Sequence, residues 1–222
     1  MKGLIIVSLL TFGMVGAEFC YKNVHAFCSH KVDGSLIHCT SNFSSVHSVM
    51  YDLESYVKQH LSQSFQYLLM STNFGNYQKN REGLSKLYRK LSDDTWEDSI
   101  HLLKYITKRG GTMRFDSLVH SEPVGAFTNV FEMHELESLS RALDMSKQLA
   151  NKAHHIHGEV TKKNDKYHDA DTINFLEDKF VEKHTKQIRD LAGHVNDLSD
   201  LTKSPDPSLA IFLFDEYLKS IY

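Results

Sequence analysis

Four acids crowd into six residues of the stretch "LSDDTWEDSIHLLKYITKRGG", Leu91 to Gly111: Asp93, Asp94, Glu97 and Asp98. Carboxylates at that density lower the local potential, concentrate cations and offer them hard oxygen donors. On a helix Asp93, Asp94 and Glu97 share one face, while Asp98 turns inward with the apolar stripe that follows. Such a face either gathers metal ions or serves only as a solvated surface.

A second set of polar groups sits among apolar residues. His60 and Tyr67 flank one helical stripe, Thr95 and Asp98 interrupt a second, Ser146 follows Leu139 and Leu143, and His184 stands between Phe180 and Ile188. His60, Asp98 and His184 offer two imidazoles and a carboxylate. They could bind one metal ion, or they could form a hydrogen-bonded His–Asp–His core. His154, His155 and His157 also cluster, but only His154 and His157 share a helical face, and a solvated group is the simpler reading.

These residues must be positioned by helices. Apolar residues recur at steps of three and four in Val46, Val49, Met50, Leu53, Val57, Leu61, Phe65 and Leu68. The pattern returns from Leu84 to Ile106, from Leu136 to Val160 and from Ile173 to Leu198. Gly75-Asn76 breaks the first pair of segments, Gly110-Gly111 ends the second, and "KKNDKYHDAD" separates the last two, with Asp169 or Asp171 able to cap. The connection between the second and third segments is long enough to cross from one end of a bundle to the other. Two short links and one long crossover predict an all-α four-helix bundle. After Pro205 and Pro207, "SLAIFLFDEYL" predicts a short fifth helix. The polar groups then form a layer at mid-height, where each unpaired one would cost about 1–3 kcal/mol. Bundles of this wiring can house di-iron carboxylate sites. Such sites need many carboxylates, and this layer supplies only Asp98.

The 222 residues carry a formal net charge of -3, which points to neither nucleic acid nor an anionic membrane as partner. Lys2, the apolar run "LIIVSLLTFGMV" and Val15-Gly16-Ala17 read as a signal peptide over residues 1–17, too short for a comfortable membrane span, and the expected location is secreted or a secretory lumen. Residues 18–45 read as an irregular extension, and 46–222 as the helical domain. Cys20, Cys28 and Cys39 lie in the extension, where an oxidising compartment favours disulfides. Three is odd, so at least one remains for another chain or stays free. Asn42-Phe43-Ser44 is a glycosylation sequon.

The segments "FQYLLMSTNF", "KRGG", "FLEDKFVEKHTKQIRDLAGHVNDL" and "LFDEYL" resemble a ferritin, specifically the light-chain type of the secreted insect ferritins. The similarity runs from about Val46 to the C-terminus. Heavy-type ferritins have Glu where this chain has His60, Thr95 and Ser146, His where it has Asp98, and Gln where it has His184. Only the tyrosine matched by Tyr67 is kept. The resemblance therefore implies an iron-storage subunit without a ferroxidase centre, not an enzyme, whose cargo is a ferric mineral. It implies mineral nucleation at Asp93, Asp94 and Glu97 and a channel acid at Glu177, paired here with Asn174. It also implies a hollow shell of about 24 chains, shared with a heavy-type partner to which an extension cysteine could bond. The competing readings are a ferroxidase with an altered metal site, and a secreted helical signalling protein, which would need two long crossovers.

Overall fold

The computed structural model describes residues 20–28, 39–115, 134–162 and 168–222. The proposed signal peptide lies outside them. The described chain is helical throughout its regular structure: α1 (Cys20–Cys28), α2 (Met50–Phe74), α3 (Glu82–Lys108), α4 (Glu135–Val160), α5 (Ala170–Leu176), α6 (Glu182–Leu201) and α7 (Pro207–Ile221). A 3-10 turn over Val46–Ser48 precedes α2, and a π-helical turn over Glu177–Val181 joins α5 to α6.

The periodic segments form the expected helices, with two refinements. The fourth becomes α5, the π turn and α6, because a wider turn carries the chain from Leu176 past Phe180 while both stay buried. The extension, read from sequence as irregular, contains α1, closed by a disulfide between Cys20 and Cys39 with the Cα atoms 5.6 Å apart. Helix ends follow local chemistry. Asp169 caps α5 by accepting the Thr172 N–H at 2.8 Å, which settles the choice between it and Asp171. Asp206 caps α7 by accepting from Leu209 N, with Pro207 in the first turn. Gly110, at φ 78°, takes the left-handed conformation just beyond α3.

Ion pairs at the two ends fix the wiring. Arg81, which starts α3, meets Glu135, which starts α4, at 3.0 Å. Arg109, which ends α3, meets Asp169, which starts α5, at 2.8 Å. The link from α3 to α4 therefore runs the length of the bundle, the single crossover predicted from its length. Residues 116–133 of that link lie outside the described residues.

The core has two apolar halves. Val46, Leu53, Tyr56, Val57, Leu102, Ile106, Leu149, Ile156 and Phe180 belong to one. Met70, Phe74, Leu84, Leu87, Tyr88, Leu139, Leu191, Leu198, Phe214 and Leu218 belong to the other. Buried His60, Thr95, Asp98, Ser146 and His184 are contributed by four different helices between them. The apolar stripes thus hold the helices together, and their interruptions bring polar groups to one level. No helix among the described residues is long and apolar enough to cross a membrane.

Candidate functional site

The polar layer is built around Tyr56, a residue absent from the sequence-level candidate set. It lies one helical turn before His60, and that spacing was the available signal. The Tyr56 hydroxyl is 2.8 Å from His184 Nε2, and the Tyr56 carbonyl accepts a hydrogen bond from His60 Nδ1 at 2.9 Å. A carbonyl can only accept, so Nδ1 carries the proton and the buried Nε2 of His60 holds an unpartnered lone pair. Burial drives both imidazoles to stay neutral. It lowers His60 to about 3, and it lowers His184 to about 4 with help from the positive charge of Lys183.

Asp98 does not join them. Its Oδ1 accepts from Lys183 Nζ at 2.7 Å, and the same ammonium reaches the Asp94 carbonyl at 3.3 Å. Burial raises the Asp98 carboxyl above its ordinary range, and Lys183 opposes that shift. The structure thus brings His60 and His184 together, with ring centroids 6.0 Å apart, and diverts Asp98 to a lysine next in sequence to His184. The His–Asp–His core considered from sequence is replaced by Tyr56 between the histidines and a separate Asp98–Lys183 pair. The physical reason is that a buried carboxylate gains more from a cation than from a neutral imidazole. Among the described residues no three His, Cys, Asp or Glu side chains converge as a metal-binding group.

The hydroxyl groups of the layer are satisfied internally. Thr95 Oγ1 donates to the Leu91 carbonyl at 2.7 Å. Tyr67 donates to the Ala142 carbonyl at 3.1 Å and lies 3.2 Å from Ser146 Oγ, which Gln187 Nε2 also reaches at 2.9 Å.

The acidic face of α3 is formed as its spacing required. Asp93 and Glu97 are exposed and Asp94 is half-buried, while Asp98 is buried. Asp93 pairs with Arg89 one turn earlier at 3.0 Å, so part of the face is already neutralised. Glu177 opens the π turn, and its Oε1 lies 2.9 Å from His157 Nε2 on α4. One of the three clustered histidines therefore has a carboxylate partner.

At the bundle end, Arg109 is buried and gathers three segments. It donates to both oxygens of Asp169 (3.1 and 2.8 Å), to Asp171 at 2.7 Å, to the Tyr105 hydroxyl at 2.9 Å and to the Phe43 carbonyl at 3.0 Å. Its guanidinium also lies 4.0 Å from the Phe43 ring centroid. Phe43 and Ser44 belong to the sequon, and Ser44 Oγ donates to the His168 carbonyl. Asn42 is exposed. Cys28 is the free cysteine and is exposed, on the same face of α1 as the exposed Tyr21 and Val24.

Comparison with known proteins places these features in context. A family model described as "Ferritin: Ferritin-like domain" matches residues 51–201. The chain is 38% identical over 221 residues to a ferritin light chain of Drosophila melanogaster, covering 96% of this chain and 97% of that one. It is 40% identical over 215 residues to a ferritin light chain of Trichoplusia ni, covering 93% of this chain and 92% of that one. The crystal structure of Trichoplusia ni secreted ferritin superposes with a TM-score of 0.84 at 40% identity, covering 93% of this chain and all of that one.

Proposed function

The chain belongs to the ferritin family, and on that premise we propose that it is a light-type subunit that shelters ferric mineral without oxidising iron. The observation that carries this reading is the pairing of Asp98 with Lys183. A centre that oxidises two ferrous ions needs several carboxylates to neutralise and bridge them. Among the described residues the one carboxylate in this layer, Asp98, is already matched by the Lys183 cation, and the neighbouring imidazoles are neutral. We read His60, Asp98 and His184 as structural, a polar layer whose bonds replace those that metal ions would supply. The purified chain, free of any companion, should consume no more oxygen on addition of ferrous salt than buffer does. Rapid oxygen uptake would establish the alternative, a ferroxidase with an altered site. The signalling alternative loses its footing with the single end-to-end crossover and the family match.

The carboxylates of exposed Asp93 and Glu97 and half-buried Asp94 are the proposed ground for mineral growth, and Glu177 the proposed channel acid, its charge tempered by His157. Iron is cargo in this scheme. The partner is a heavy-type subunit in a mixed, secreted shell. The face of Tyr21, Val24 and Cys28 supports that partner, because it combines exposed apolar surface with a free thiol. Native mass under non-reducing conditions should give a particle of several hundred kDa with a second chain covalently attached, and Cys28→Ser should release that chain on a non-reducing gel. The exposed side chain of Asn42 supports its use as a glycan acceptor, read out as a mass loss on deglycosylation.

A further inference from the structure

The hydrogen bond between Tyr56 and His184 joins a phenol to a base inside the polar layer. Tyr56 is fully buried and His184 nearly so. The phenol has one proton to donate, and among the described residues the imidazole nitrogen 2.8 Å away is the partner of its hydroxyl. That assignment puts the other His184 proton on Nδ1, a buried atom with no partner among the described residues. Tyr67 and Tyr88, also buried, are bonded differently. Tyr67 donates to a backbone carbonyl, and Tyr88 lies 2.7 Å from the Ser138 hydroxyl. Neither partner is a base that can keep a proton. Imidazole is.

We propose that Tyr56 and His184 form a proton-coupled one-electron donor inside the bundle, which quenches oxidising radicals that arise beside iron. The inference rests on the iron-storage reading for the source of the oxidant. Ferrous iron reduces hydrogen peroxide to a hydroxyl radical and hydroxide. The hydroxyl radical takes one electron from the Tyr56 phenol and becomes hydroxide. As it does so the phenolic O–H bond breaks and the proton forms an N–H bond at His184 Nε2. The products are a neutral tyrosyl radical, an imidazolium and hydroxide. One electron from a further ferrous ion, which becomes ferric, and return of the proton from Nε2 restore the phenol and the neutral imidazole.

The oxidant does not have to enter the core. The Tyr56 ring lies 5.4 Å from Phe180, Phe180 lies 5.5 Å from Phe175, and Phe175 stacks on Tyr105 at 3.9 Å. The Tyr105 hydroxyl donates to Asp171, an exposed carboxylate at the bundle end. Tyr105 therefore has its own proton acceptor at the surface and a series of rings leading inward. The Tyr105 oxygen meets two opposed charges, the Arg109 guanidinium and the Asp171 carboxylate, while the carboxylate of Asp98 acts on Tyr56. An electron deficit that reaches Tyr105 passes inward along these rings to Tyr56, and the proton held by Asp171 returns to Tyr105.

The test uses the assembled protein stripped of iron, so its outcome does not depend on storage. Photogenerated ruthenium(III) tris-bipyridine supplies the one-electron oxidant, and electron paramagnetic resonance of frozen samples reads the radical. The expected result is a tyrosyl signal whose long-lived component, on the buried ring, is lost in Tyr56→Phe, where the deficit stays on Tyr105, and is kept in Tyr67→Phe. His184→Gln preserves a hydrogen-bond acceptor but cannot hold the proton, so the signal should fall sharply while circular dichroism stays unchanged. An unaltered signal in Tyr56→Phe, or in a folded His184→Gln, overturns the proposal. A second arm adds ferrous salt and peroxide and measures protein carbonyls. Tyr56→Phe should accumulate more than the parent; equal damage in a protein that forms the radical removes the quenching role while leaving storage intact.

Discussion

The Asp215 carboxylate of α7 caps the N-terminus of α3: its Oδ1 accepts the Leu84 N–H at 2.9 Å, and its Oδ2 accepts from Gly83 N at 3.2 Å. The cap is buried, and it explains why position 83 is glycine, since a Cβ there would stand 2.0 Å from the Asp215 carbonyl oxygen. Asp215→Ala should destabilise the chain by about 1–2 kcal/mol, as loss of a helix cap does. Gly83→Ala should detach α7. Hydrogen exchange over residues 207–221 reads both, and unchanged protection in Gly83→Ala would refute the packing described.

Lys183→Met should leave Asp98 buried without its cation, at a cost of about 3 kcal/mol. Lys183→Met combined with Asp98→Leu should recover most of that loss, because no uncompensated charge then remains. Thermal unfolding of the single and double variants checks the pair. A double variant no better than the single would mean that the two residues do not act together.

Acid should weaken the bundle through its buried histidines. His60 and His184 are held near 3 and 4, below the ordinary 6.5, by burial first and by Lys183. The unfolded chain therefore takes up protons before the folded one does. The stability tied to the neutral imidazoles is complete above about pH 6.5 and falls as pH drops towards 4 and then 3. Each histidine contributes roughly 1.4 kcal/mol per pH unit within its window. A melting temperature followed from pH 7 to pH 4 should drop, and His184→Gln should flatten the slope. A pH-independent melting temperature would contradict the burial of both rings.

Arg109→Ala should cost about 3–5 kcal/mol, since it strands the Asp169 carboxylate in the core. Burial alone would raise Asp169, but its bonds to Arg109 and the Thr172 amide hold it below the ordinary range. Its contribution is present above the ordinary carboxylate pKa and is lost as pH falls through the lowered one. Exposure should appear in residues 39–45 and 168–176 together, read by limited proteolysis. Exposure of only one of these segments would show that Arg109 does not join them.

Asp93→Ala, Asp94→Ala and Glu97→Ala combined should slow ferric mineral growth in a mixed shell while leaving ferrous oxidation by the partner unchanged. Unchanged mineral kinetics would return this face to the role of a solvated surface.

The sequence by itself determined the helices, because the apolar stripes from Val46 to Leu198 repeat at helical period whatever they pack against. It also determined the level of the polar layer, since His60, Thr95, Asp98, Ser146 and His184 interrupt those stripes at known heights. Glycine and proline set the links, and their lengths set one crossover. The tertiary structure decided which polar group answers which. Asp98 could have met a histidine or a lysine, and only the rotation of α6 against α3 brings Lys183 to it. Tyr56 carries no sequence signal beyond its spacing from His60, and it gains its role where α6 places His184 against its hydroxyl. The same holds for Arg109, read from sequence as part of a helix-ending motif, whose partners Asp169 and Phe43 lie 60 and 66 residues away in opposite directions along the chain. Periodicity is a local property and survives in one dimension; the pairing of buried charges depends on distances that exist only once the helices have packed.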